Sequence, residues 1–322
     1  MYYVAHRLFA LHDRALGALV AHRLALQVGE AAVFLPFCDT DEENLVARRK
    51  GERLFELDRE RLRALDGMIA VVHGPSLDDG VCMEIGYARH LGTPVVLLTT
   101  DFQTYGLRDD AAQLAFPDPL LEAVVTDLIR VQRLGTSNAA ASTRFEAFLE
   151  CNIGPLRHAA DTAVQALLGH PPPADVPRAT VVLPQPQRPV AFVEPSPYQP
   201  LHTCTDLAET LFTHGWEVYE ARRLAATSAP RDDLIAAAQA DWAALATASL
   251  LVVDVNGAET PPGAAMLIGA SSAAQRRILA SCSDRSWTFA PGREPNFRNL
   301  MIQYSIAARF RTLDEFRHLL LT

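Results

Sequence analysis

Asp78 and Glu84 stand six residues apart, with Gly80 between them, in the run Leu77-Asp78-Asp79-Gly80-Val81-Cys82-Met83-Glu84. Two carboxylates that converge on one crevice can divide labour. One attacks an electrophilic carbon as its anion, and the other moves a proton or holds the leaving group. Gly80 permits a tight turn. A helix opening at Val81 places Glu84 in its first turn, where the helix dipole favours an ionised carboxylate. The same residues also suit a purely local role, since Glu is common in first helical turns and Asp before Gly is a common turn former.

The elements that must position these groups alternate. Strand-like runs occur at 2–5, 32–35, 68–72 and 94–98, and helical patterns at 8–26, 52–65 and 81–91. Continuous apolar strands between helices imply a parallel sheet covered on both faces, and right-handed crossovers make it doubly wound. The loop carrying Asp78 follows the 68–72 strand, at the carboxyl end where open α/β sheets bind ligands.

Residues 169–189 contain seven prolines and can form neither a continuous helix nor a central strand. The chain of 322 residues therefore divides into 1–168, a linker at 169–188, and 189–322. The second part repeats the first at an offset of 183. Asp58 matches Asp241, Leu62 Leu245, Val72 Val255, Gly74 Gly257, Gly80 Gly263, Met83 Met266, Ile85 Ile268 and Gly86 Gly269. Chance would give about two such identities, and the period is too long for a solenoid. The expected fold is two flavodoxin-like or Rossmann-like three-layer α/β domains. The copies differ in chemistry: Leu267 stands at the position of Glu84 and Pro261 at that of Asp78, so the second copy lacks the nucleophile.

Composition narrows the function classes. With 29 Lys+Arg against 38 Asp+Glu, the formal charge of −9 argues against a dedicated nucleic-acid binder. No apolar run approaches the roughly 20 residues of a membrane span. Charged residues interrupt the N-terminal segment, which has no signal-peptide core, so a cytoplasmic location is expected. The five scattered cysteines fit reduced thiols rather than a disulfide frame or zinc site. No dinucleotide or phosphate-loop glycine fingerprint and no HExxH spacing occurs, and no metal or redox cofactor is expected.

The first copy resembles the nucleoside 2-deoxyribosyltransferase family, which includes related 2'-deoxynucleotide N-glycosidases. The likeness rests on strand Tyr3 with Phe9 six residues on, on Asp58 early in a helix, and on Asp78-x-Gly80-x-x-Met83-Glu84-Ile85-Gly86-Tyr87-Ala88. The 26-residue spacing from Asp58 to Glu84, and Pro94 followed by Thr100-Asp101-Phe102, continue it. The resemblance covers most of residues 1–105. It implies that Glu84 is the nucleophile of a glycosyl-enzyme ester and that Tyr3 orients it. Asp78 and Asp58 would hydrogen-bond the nucleobase, one of them helping to protonate it. Phe9 would line the sugar or base pocket, and Gly80 and Met83 lie at the substrate. Without the resemblance, Tyr3 and Phe9 read as core and Asp58 as a solvated helix face.

The family's C-terminal Asn-Leu-Met segment, which crosses between subunits to the sugar's 5'-hydroxyl region, is matched here only in the second copy, by Asn299-Leu300-Met301. The expectation is one complete site per chain, with Asn299 and Met301 supplied by the second copy. Alternatively, Asn299 caps a helix and Met301 is core. Two departures stand out. His6-Arg7 replace small residues, so Arg7 could bind a phosphate or point to solvent. The base-recognising Gln is not evident in 35–39. Phe192 and Tyr198 repeat the Tyr3–Phe9 spacing in the second copy, where a filled-in scaffold is expected.

The resemblance implies transfer of a 2'-deoxyribosyl group between nucleobases, with small nucleosides and bases as the only partners besides further copies of the chain, as a dimer or trimer. A nucleoside 5'-monophosphate N-glycosidase and a non-catalytic nucleotide sensor are the alternatives.

Overall fold

A computed structural model of the chain describes all residues except 40–48, 109–111, 132–134, 136–141, 174–187, 198–200, 226–228, 284–286, 290–292 and 322. Tyr198 and most of the proline-rich stretch thus lie outside the described residues. The first copy runs β1 (Tyr2–Ala5), α1 (Leu11–Val28), β2 (Val33–Phe34), α2 (Lys50–Leu62), β3 (Gly67–Val71), α3 (Asp79–His90), β4 (Val95–Thr99), α4 (Pro119–Val124), β5 (Asp127–Arg130) and α5 (Arg144–Leu168). The second runs β6 (Val190–Val193), α6 (Leu201–Thr213), β7 (Glu217–Glu220), α7 (Arg231–Thr247), β8 (Leu250–Asp254), α8 (Pro262–Ala273), β9 (Arg277–Ser281), α9 (Leu300–Ser305), β10 (Ala308–Phe310) and α10 (Leu313–Leu321).

Each copy builds a five-stranded sheet with every pairing parallel. The orders are β2-β1-β3-β4-β5 and β7-β6-β8-β9-β10, the flavodoxin-like order in both cases. The central strands β3, β4 and β8 are buried along their whole length, as sheets covered on both faces require. Tyr3 pairs with Met68 in one sheet, and Phe192 pairs with Leu251 in the other, so the repeat extends to the register.

The alternation of strand side chains sorts the layers. Val4, Ile69, Val71, Val96 and Leu98 face outward under α1 and α5. In the second copy, Ala191, Val193, Leu250, Val252 and Leu279 face outward under α6 and α10. The opposite faces of both sheets share one core, which runs through α3 and α8. The two copies are therefore joined through the helices that follow β3 and β8. The contacts are related by a local two-fold, since α2 packs on α9 while α7 packs on α4.

The helix expected over 8–26 begins only at Leu11. Arg14 Nη1 donates to the carbonyls of Leu8 (2.6 Å) and Phe9 (3.2 Å), which stabilises a longer loop after β1. Among the described residues no helix is long and apolar enough to cross a membrane.

Candidate active site

Tyr3, the second residue of β1, lies in the shared core and is 1 % exposed. Its hydroxyl donates to Glu84 Oε1 at 2.7 Å. Its ring stacks on Phe34, with centroids 5.3 Å apart. The Arg61 guanidinium covers the other partner, 4.2 Å from the Phe34 centroid, and its Nη1 donates to Asp58 Oδ1 at 3.1 Å. The α2 helix thus delivers Asp58 to the crevice of Tyr3 and Glu84.

Burial governs the electrostatics. Glu84 retains some solvent contact but is enclosed by protein, and desolvation pushes its carboxyl well above the usual range. The Tyr3 hydroxyl opposes that rise, and the charges of Asp58 and Asp78 add to it. Asp58 is raised to about 6, by burial first, with Arg61 opposing. Burial raises both carboxyls, and Asp58, at about 6, is suited to giving and taking a proton near neutrality.

The loop before α3 departs from the sequence reading. Leu77 and Asp78 both take left-handed backbone, with φ of 57° and 58°. That conformation is uncommon outside glycine and costly for leucine. Asp78 then caps α3 by accepting from the Val81 N–H at 3.0 Å, so the helix begins at Asp79 rather than Val81. Glu84 lies two residues deeper than expected, in the second turn, where the dipole is weaker. The second Asp78 oxygen accepts from Arg7 Nε at 3.4 Å. Arg7 does not point to solvent alone: its Nη2 donates to Ser76 Oγ (3.0 Å) and to Glu259 Oε1 (2.7 Å) of the second copy. Asp79 accepts from the Thr260 N–H at 3.0 Å, and burial raises its carboxyl to about 7. Arg7 and Asp78 also border a cavity of about 20 Å³ with His6, Asp13 and His73, which has room for about one water and none for a pentose.

Asn299 meets α3 at Gly80. A Cβ at Gly80 would overlap the Asn299 amide, so the glycine is what admits this side chain. Asn299 Oδ1 accepts from the Met301 N–H at 2.9 Å and caps α9, while Nδ2 is the atom nearest Gly80. Capping and placement at the site are therefore compatible. The other expected residues are not brought together. Met83 and Met301 are core side chains, 0 % and 3 % exposed, and Phe9 is 75 % exposed. Sequence reasoning missed Phe34, Arg61, Ser76 and Glu259. The repeat offset carried a signal for the last, because 183 residues separate it from Ser76 and the two loops meet near the local two-fold.

Residues 2–121 match the family model described as nucleoside 2-deoxyribosyltransferase. Over these residues the chain is similar to that family. Among solved structures, a conserved protein from Enterococcus faecalis V583 is similar, at 30 % identity over 31 % of this chain and 63 % of its own, with a TM-score of 0.26. The match thus spans less than two thirds of that protein's length. No curated protein matches the chain.

The crevice of the first copy has a counterpart in the second, and it is filled. Phe192 stacks on Tyr219 at 5.2 Å, as Tyr3 does on Phe34, and the Tyr219 hydroxyl donates to Asp241 Oδ1 at 2.9 Å. Leu267 is fully buried where the first copy has Glu84. The fully buried Arg223 donates to Asp118 (2.7 and 2.9 Å), to both oxygens of Glu194 (3.0 Å to Oε2) and to Asp241 (3.3 Å). Its guanidinium and Asp118 crowd Gly263 as Asn299 crowds Gly80. An arginine from the chain itself occupies the space a ligand would need.

Proposed function

We propose that the chain cleaves the N-glycosidic bond of 2'-deoxynucleosides and passes the deoxyribosyl group to another nucleobase. Glu84 Oε2, which makes no hydrogen bond among the described residues, attacks C1' as the carboxylate. The C1'–N bond breaks, and its electron pair leaves with the base. Asp58, with a carboxyl raised to about 6, gives the departing base its proton. The product is an ester between Glu84 and C1'. A second base then attacks C1', loses a proton to Asp58 and releases Glu84. Two inversions retain the anomeric configuration, by the logic of retaining glycosidases. Asn299 binds the 5'-hydroxyl end of the sugar from the second copy, completing one site per chain.

The observation that carries this reading is the Tyr3–Glu84 hydrogen bond at 2.7 Å. It fixes one carboxylate oxygen, favours the ionised form and leaves the other oxygen to react. The match of residues 2–121 to the nucleoside 2-deoxyribosyltransferase family model supports the same chemistry.

Incubation with thymidine and adenine, followed by chromatography, tests it. Deoxyadenosine is expected from the unaltered protein, and none from Glu84→Gln. Full transfer by that variant would overturn the assignment of the nucleophile. Failure to exchange any base pair in a nucleoside panel would overturn the activity.

A further inference from the structure

Arg7 donates to Asp78, the residue that caps α3, and its other partners come from both copies. The guanidinium touches Asp78 at 3.4 Å, Ser76 at 3.0 Å and Glu259 at 2.7 Å. Glu259 comes from the second copy, on the loop that follows β8. Its other oxygen, Oε2, is buried and has no hydrogen-bond partner. Arg7 and Glu259 are each about one-third exposed, 35 % and 30 %, so their attraction is only partly screened. Ser76 and Asp78 belong to the loop that leads to Gly80, against which Asn299 rests. Arg7 therefore stands at the same end of the crevice as Asn299.

We propose that Glu259 is a specificity-determining residue, which masks Arg7 and so restricts the site to nucleosides without a 5'-phosphate. The inference rests on the function proposed above, which puts the sugar's 5' end beside Asn299. A 5'-phosphate carries close to two negative charges. It would meet Asp78 and Glu259 before a guanidinium that they already neutralise. A neutral 5'-hydroxyl meets no such repulsion. A cation that in isolation would select phosphate esters is thereby turned into part of a device against them. The catalytically silent copy contributes selectivity in place of chemistry.

The test uses the full chain in the Glu84→Gln background, so that ligands are bound without turnover. Calorimetry compares thymidine with thymidine 5'-monophosphate. The masked site is expected to favour thymidine by about tenfold or more. Adding Glu259→Ala is expected to shift the ratio at least tenfold toward the monophosphate, and Arg7→Gln on top of it to abolish that gain. Glu259→Gln, which keeps the side-chain shape, is expected to give a smaller shift in the same direction. Equal binding of the two ligands before Glu259 is altered, or an unchanged ratio in Glu259→Ala, would overturn the inference and leave the nucleoside reading standing. Binding of neither ligand to any form would overturn the nucleoside site itself, and the inference with it.

Discussion

Gly86 and Gly269 each rest on the other's helix: a Cβ on Gly86 would overlap the Met266 carbonyl, and one on Gly269 the Met83 carbonyl. The obstacles are backbone atoms, which cannot rotate away. This reciprocal contact sets the approach of α3 and α8, and with it the distance between Glu84 and the second copy. Gly269→Ala is expected to destabilise the protein by about 1–3 kcal/mol through overpacking. It should also raise KM for the nucleoside, as Asn299 moves from Gly80. Chemical denaturation and steady-state kinetics check the two effects.

The Tyr3 hydroxyl makes a charge-assisted bond with Glu84. Tyr3→Phe keeps the ring on Phe34 and removes only that bond. Such bonds contribute roughly 1.5–3 kcal/mol, so transfer should slow about 10- to 100-fold with little change in melting temperature. Base-exchange rates and thermal denaturation decide it. An unchanged rate would show that Glu84 needs no orientation by Tyr3.

Activity should follow a bell in pH. The rate rises as Glu84, held high by burial, loses its proton. It falls as Asp58, raised to about 6, loses the proton that the leaving base requires. The limbs report the pair rather than single residues. Asp58→Asn is expected to lower the rate and remove the descending limb, which a pH series of initial rates will show.

Asn299 does two things with two atoms. Asn299→Ser keeps a capping oxygen for α9 and removes the amide that meets Gly80. Thymidine binding should weaken about tenfold while the melting temperature stays nearly constant. Loss of stability with unchanged binding would reduce Asn299 to a helix cap.

Arg223 sits among Asp118, Glu194 and Asp241 with no exposure of its own. Arg223→Met leaves three buried carboxyls facing one another, and a cost of about 3–5 kcal/mol is expected. The pH dependence has a definite sign. Glu194 is raised by burial to about 7, above its unfolded value of about 4.3, so the folded state holds that proton more tightly. Its favourable contribution is complete at acid pH and is lost as pH rises through 7. The deficit of Arg223→Met should therefore shrink from about pH 8 to about pH 5 in denaturation experiments.

Local patterns in the chain determined much of this. Apolar runs between helical repeats identify the parallel sheets, and the 183-residue offset identifies two copies and the loss of Glu84 at Leu267. The Asp78-to-Ala88 signature singled out Glu84 and Asp78, and a separate helix position Asp58; the fold brings these carboxyls close to one another and to Tyr3. Side-chain periodicity reports only which face of an element is buried, and so it is silent on contacts between distant elements. The start of α3 was misplaced because the left-handed pair Leu77–Asp78 is set by the packing of its loop, not by propensity. Phe9, expected in the pocket, is exposed on a loop whose Leu8 and Phe9 carbonyls are tied to Arg14 in the first turn of α1. Only the two-fold packing of α3 on α8 brings Glu259 to Arg7, Asn299 to Gly80 and Asp118 to Arg223. Those pairs lie 105 to 252 residues apart, a range at which steric fit and charge pairing, rather than spacing, decide which groups meet.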